Sequence, residues 1–215
     1  MAFSINQFVF ILEGAIWTIV LALIGFLGGG VLGMIIAIMR VSRSRIINSI
    51  AALYVQIVQG IPLPVLMFLS YFGLSITGVN VPALVAAGVS MTLYAGAFLG
   101  EIWRGSIQAV PKTQWEAADS LALSRGQKMW DVIIPQAVRL SIPPTMGFSV
   151  QIIKDTSYSV VIGFIELTQS GKIVNNAIFE PFVVYTLVGA IYFILCSPLS
   201  HASRRLEARL RARGA

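Results

Sequence analysis

Cysteine and histidine occur once each, as Cys196 and His201, and charged residues make up only 11% of the 215 positions. Soluble domains average about 25% charged, so this scarcity argues against an ordinary water-exposed fold. A single cysteine excludes a disulfide framework and a cysteine metal cluster. With no second histidine or cysteine beside it, His201 has no set of metal ligands to join. The chain also lacks a G-x-x-x-x-G-K-[ST] loop for cradling phosphates. Its one Gly-Lys pair, Gly171–Lys172, is followed by Ile173 and has no upstream glycine of the required spacing. Neither a G-x-S-x-G elbow nor a histidine pair offers a hydrolase site.

What is present is apolar. Hydrophobic residues make up 57% of the chain, and mean hydropathy is +0.84. A bilayer crossing needs about 20 predominantly apolar residues. Residues 14–39 and 46–100 carry no charge, and neither do 181–203. Residues 140–165 carry only Lys154 and Asp155. The expected fold is an all-α integral membrane protein, one domain over 1–215, with five transmembrane helices at about 14–39, 53–75, 82–103, 142–165 and 181–200. The stretch opening the second span, IINSIAALY, is long enough to lie along the interface. Residues 1–13 lack lysine and arginine, so the first span does not read as a cleaved signal peptide.

The bases are unevenly placed. Arg40, Arg43 and Arg45 follow the first span; Arg104, Lys112, Arg125, Lys128 and Arg139 follow the third; Arg204, Arg205, Arg209, Arg211 and Arg213 follow the fifth. By the positive-inside rule the N-terminus is outside and the C-terminus cytoplasmic. The net charge of +6 then needs no nucleic acid to explain it.

Two spans carry helix-level signals. Gly25, Gly29 and Gly33 recur at a spacing of four, which lets helices approach closely in lipid, although glycine is also simply frequent in membrane helices. Gly60, Pro62 and Pro64 predict a kink in the second span. Broken backbone at membrane depth survives where protein or a cavity surrounds it.

Between the third and fourth spans lies a polar insert, 111–136. Thr113 with Glu116, and Ser124 with Gln127, each read as a capping box. They predict helices over about 114–122 and 125–134, the second stopped by Pro135. Charges over 113–139 sum to zero, which excludes a phosphate-binding helix–turn–helix. A docking surface for a cytosolic partner explains a capped, partly apolar helix pair better than the alternative, an amphipathic loop that rests on the bilayer.

Here the residues resemble a family. EAADSLALSRGQKMWDVIIPQA at 116–137 looks like the cytoplasmic "EAA" loop of ABC importer permeases: EAA, a glycine four positions on, and an I-x-L-P-like end. GIPLPVLMFLSYFG at 60–73, GEIWRGSIQAVPK at 100–112 and IIKDTSYSVVIGFIELTQSGK at 152–172 are similar, in the same order, to the polar-amino-acid subgroup. The resemblance spans about residues 12–210. It departs at Ala122, where the family has glycine, at Ile134 in place of leucine, and at Gln59 in place of a common arginine.

The resemblance implies an importer subunit in the bacterial inner membrane that moves a polar amino acid. The chain itself would carry no cofactor, ATP and Mg being bound by partner subunits. Expected partners are two ATP-binding subunits, a second permease chain, an extracytoplasmic binding protein, the amino acid and membrane lipid. Glu116, Ala117, Ala118, Ala122, Arg125 and Pro135 would belong to the ATPase-coupling loop.

Lys154 and Asp155 fall about twelve residues into their span, roughly 18 Å deep at ~1.5 Å per residue. Charges there are costly and mark functional sites by default. Adjacent helical residues do not face each other, so at least one needs another partner. In the family this KDTS segment lies along the translocation path. Lys154 can meet a substrate carboxylate and Asp155 or Glu101 an ammonium, with Thr156 and Ser157 beside them. Tyr94, Phe98 and Glu101 share one helical face as a facing wall. A structural ion network fixing helix register is the competing reading, and a self-sufficient channel, an ion-coupled carrier and a membrane-embedded enzyme are the rival functions.

Overall fold

The computed structural model describes residues 3–76 and 78–212 and, among these, every regular element is helical. Helix α1 (Ile5–Arg40) begins at a capping box in which Ser4 and Gln7 bond each other's backbone N–H. Its buried positions, from Ile11 through Thr18, Gly25, Gly29 and Gly33 to Ala37, recur at spacings of three and four. The helix starts nine residues ahead of the charge-free run because Glu13 is exposed and does not interrupt it.

The glycine stripe is a packing surface. A methyl group on Gly29 would lie 2.3 Å from the Ala95 Cβ, and methyls on Gly25 and Gly33 would lie 2.9 Å from the Met91 and Leu99 Cβ atoms. All three partners belong to α4 (Ala83–Gln108). The fit is reciprocal, since Gly96 and Gly100 of α4 take up Leu32 and Ile36 of α1. The two helices form the most extensive helix pair in the fold.

The second apolar stretch is not one straight span. Helix α2 (Arg45–Gly60) and α3 (Leu63–Ile76) meet at 99°. Ile61 and Pro62 are extended between them. Pro62 cannot donate and restricts the residue before it to extended backbone, which turns the expected kink into a full corner. Helix α2 buries Ala51, Val55 and Val58 against α1 and α4. Helix α3 contains a π turn at Leu69–Gly73 and packs on the segment after residue 155.

In the polar insert, α5 (Lys112–Ser120) starts two residues earlier than the Thr113 box suggests. Pro111 occupies the cap position and no side chain caps the end. The Ser124–Gln127 box is formed. Pro135 does not stop the following helix: helical structure runs without interruption over 125–155, as α6. A π turn at Lys128–Ile133 ends two residues before the proline; its widened hydrogen-bond register accommodates the missing donor. Pro143 and Pro144 lie inside the same helix.

A 3₁₀ segment, Thr156–Ile162, follows and ends on Gly163 in left-handed backbone (φ 74°). Helix α7 (Leu167–Ile178) and α8 (Pro181–Ala212) complete the chain. Helices α1, α4 and α8 are each long and apolar enough to cross a membrane, and the bent α2–α3 pair makes a fourth if counted as one. The core lies between α1, α4 and α6, around Leu21, Met91, Leu99 and Ile152.

Candidate transport pathway and docking loop

Asp155 and Lys154 end up in opposite surroundings. Asp155 is 2% exposed, and its Oδ1 accepts a 2.7 Å hydrogen bond from Gln151 Nε2. Its Oδ2 is buried with no partner. Lys154 is exposed and makes no hydrogen bond or ion pair among the described residues. The expectation that neighbouring charges on one helix cannot satisfy each other holds. Thr156 is fully buried and donates to the Ile153 carbonyl, whereas Ser157 is partly open.

Tyr94 and Phe98 do form one face of α4. Their rings lie 4.6 Å apart, and Phe98 stacks on Phe148 of α6 at 5.5 Å with an interplanar angle of 13°. Phe148 carries no sequence signal of its own, because an aromatic in an apolar run reads as core. Glu101, on the same helix, belongs to another group. It accepts hydrogen bonds from Arg40 Nε at 2.9 Å and from Arg104 Nε at 2.8 Å, while Arg40 also bonds Asn48. This cluster ties the end of α1 to α4 and to the start of α2, and it is not joined to Lys154 or Asp155.

Other groups near Lys154 and on α2 are uncovered too. Gln56 and Gln59 of α2, the α2–α3 corner at Pro62, and Gln151 and Tyr158 around Lys154 are all exposed. Such groups are expensive against lipid tails. An aqueous or protein-lined surrounding removes that cost.

The insert presents a different surface. Ala118 is buried, and Val110, Ile133 and Ala137 form a small core with Trp115 and Met129 packed against it. Asp119 pairs with Lys128. Helix α5 ends in a Schellman arrangement: Ala122 N–H bonds the Asp119 carbonyl at 2.9 Å, and Leu123 N–H bonds the Ala118 carbonyl at 3.2 Å. That motif places its turn residue in left-handed backbone, and Ala122 has φ 52°. Glu116, Ala117, Arg125 and Pro135 are exposed. So are Leu121 (74%) and Trp130 (70%). Trp130 lies within the π turn at Lys128–Ile133.

The model of the family described as "Binding-protein-dependent transport system inner membrane component" matches residues 29–212. The chain belongs to that family. Among its relatives, the "Probable amino-acid ABC transporter permease protein YckA" of Bacillus subtilis (strain 168) is 34% identical, covering 90% of this chain and 86% of its own length. The glutamine transport system permease protein GlnP of Escherichia coli (strain K12) is 32% identical, covering 94% and 93%. A solved amino acid ABC transporter, crystallised with histidines, superposes with a TM-score of 0.90 at 31% identity, covering 97% of this chain and all of its counterpart. This binding-protein-dependent permease is thus a polar-amino-acid-type ABC permease and a multi-pass membrane protein. Like its relatives it is a transport component.

Proposed function

We propose that this chain is the membrane permease subunit of an ATP-driven importer that moves a polar amino acid into the cytoplasm of a bacterium. The observation that carries the reading is the near end-to-end match to the solved amino acid ABC transporter. The chain crosses the inner membrane five times, through α1, the α2–α3 pair, α4, α6 with its 3₁₀ extension, and α8. Its N-terminus is outside and its basic C-terminal helix cytoplasmic. Two ATP-binding subunits, which hold ATP and Mg, dock on 113–135. A second permease chain completes the cavity, and an extracytoplasmic binding protein delivers the cargo.

In this reading Lys154 meets the substrate carboxylate, and the unpartnered Oδ2 of Asp155 receives its ammonium. Thr156 and Ser157 flank them, and Tyr94 and Phe98 form the opposite wall. Glu101 lies further toward the cytoplasmic end of the path, engaged with its two arginines. Closure of the ATPases on ATP displaces α5 and the start of α6. Because α6 is continuous from 125 to 155, that displacement passes along one helix to Lys154 and Asp155. Access thereby alternates between the two sides.

The test is a mild-detergent pull-down of the tagged chain from its own host, with partners identified by mass spectrometry. A stoichiometric P-loop ATPase that is lost on Glu116→Lys supports both the importer reading and the docking loop. Recovery of this chain alone would overturn it.

A further inference from the structure

Away from Lys154 and Asp155, the apolar interior holds a second carboxylate. Glu166 is fully buried, in the turn between the 3₁₀ segment and α7. Its Oε1 accepts the Gln169 backbone N–H at 2.9 Å. Its Oε2 accepts from the Thr168 N–H at 3.0 Å, the Tyr192 hydroxyl at 2.9 Å and the Thr18 hydroxyl at 3.3 Å. Thr18 in turn accepts the Leu167 N–H at 3.1 Å, and Tyr192 shares a 2.9 Å hydrogen bond with Thr168. One side chain therefore joins α1, α7 and α8, reaching back 148 residues to Thr18.

Two of these bonds, from Thr168 and Gln169, are ordinary helix capping, which a shorter Asp performs as well. The bonds from Thr18 and Tyr192 do something else. A carboxylate removed from water is stable only when its lone pairs are filled by donors, and here two of the donors come from distant helices.

Their consequence falls on the segment just before them. Thr156–Ile162 is a 3₁₀ helix, whose internal hydrogen bonds are poorer than those of an α-helix. Ser159 turns its hydroxyl onto the Thr156 carbonyl of its own segment. The Thr156 hydroxyl donates to the Ile153 carbonyl of α6 and also meets the Tyr192 hydroxyl of α8, so Tyr192 touches both ends of the stretch. At one end it is continuous with Lys154 and Asp155. At the other, three residues past the left-handed Gly163, it meets Glu166.

We infer that Glu166 is a positioning residue: through Thr18 and Tyr192 it fixes the outer end of 156–166, and thereby holds Lys154, Asp155 and Ser157 in register against α4. The substrate role of those three residues rests on the function proposed above; the positioning itself does not.

The complex is purified in a Cys196→Ser background and reconstituted. Maleimide labelling of Ser157→Cys is then timed with and without Glu166→Asp, Tyr192→Phe or Thr18→Val. Glu166→Asp keeps the cap but shortens the reach to α1 and α8. Thr18→Val deletes one donor to Glu166 together with the acceptor of the Leu167 N–H, and Tyr192→Phe deletes the other donor together with its bond to Thr168. Each is expected to change the labelling rate at position 157 by about five-fold, the population change that follows loss of one ordinary buried hydrogen bond. Labelling of Gly126→Cys, on the exposed start of α6, should stay unchanged.

Unaltered rates at 157 in all three variants would reduce Glu166 to a helix cap and overturn the inference. Equal changes at 157 and 126 would do so too, since they would mean general loosening. The labelling needs no cargo. A wild-type complex that imports no amino acid into the same vesicles would therefore sink the proposed function and leave the positioning result standing.

Discussion

At Ala122 the backbone adopts left-handed φ of 52° because the Schellman end of α5 demands it, not because alanine favours it. A Cβ in that region costs about 1–2 kcal/mol, and glycine removes the cost. Ala122→Gly should raise the thermal midpoint of the purified complex by a few degrees, about 2–4 °C per kcal/mol for a chain of this size. Differential scanning fluorimetry is sufficient to check it; an unchanged or lowered midpoint would mean the turn is held by something other than this motif. Lys154 and Asp155 make a sharper demand. Lys154→Ala and Asp155→Asn should each lower uptake into proteoliposomes about ten-fold or more, as expected for loss of one charge-assisted hydrogen bond. Normal uptake by a normally assembled complex would remove both residues from the pathway. These two were legible in the sequence because charge inside an apolar run is conspicuous. Glu166 was not, since it stands near a predicted span end, where a carboxylate looks solvated. What buries it are Thr18 and Tyr192, which no local pattern connects to it.

Among the elements, the α1–α4 pair tests whether glycine spacing is structural. A methyl at Gly29 collides with Ala95, and neither helix can retreat without breaking contacts at Gly25, Gly33, Gly96 and Gly100. Gly29→Ala should destabilise by about 1–3 kcal/mol, the usual cost of overpacking a tight interface. Gly126, which has nothing within 4 Å of a Cβ placed there, is the control: Gly126→Ala should be neutral or stabilising by up to ~1 kcal/mol. Urea-resistance assays on the two variants separate the cases, and equal behaviour would make the glycine stripe incidental. Spacing thus identified a packing face correctly. Proline was less faithful as a signal. Pro62 turned the chain through 99°, whereas Pro135, Pro143 and Pro144 sit within α6. The difference is local: Ile61–Pro62 is already extended, while Pro135 follows a π turn whose wider register leaves room for the ring. A reading from single residues treats every proline as punctuation and cannot see that compensation.

For the molecule as a whole, the crossing that apolarity alone does not account for is α6. Among the described residues, three helices and the bent pair meet the apolar requirement for spanning; α6, which carries Arg139, Gln151, Lys154 and Asp155, is not among them. If it nevertheless crosses, it does so shielded by protein, as intramembrane charge requires, and residues on its two sides must face opposite compartments. Gly126 at its beginning and Asn176 on α7 are both exposed, so single cysteines at these positions report directly. In intact spheroplasts of a Cys196→Ser strain, a membrane-impermeant maleimide should label Asn176→Cys and spare Gly126→Cys until the membrane is permeabilised. The opposite pattern would reverse the orientation that the arginine distribution implies. Labelling of both from outside would mean that 125–155 does not cross at all. Lys154 and Asp155 would then lie in a re-entrant segment, and a displacement of the docking loop would have no continuous transmembrane helix along which to reach them.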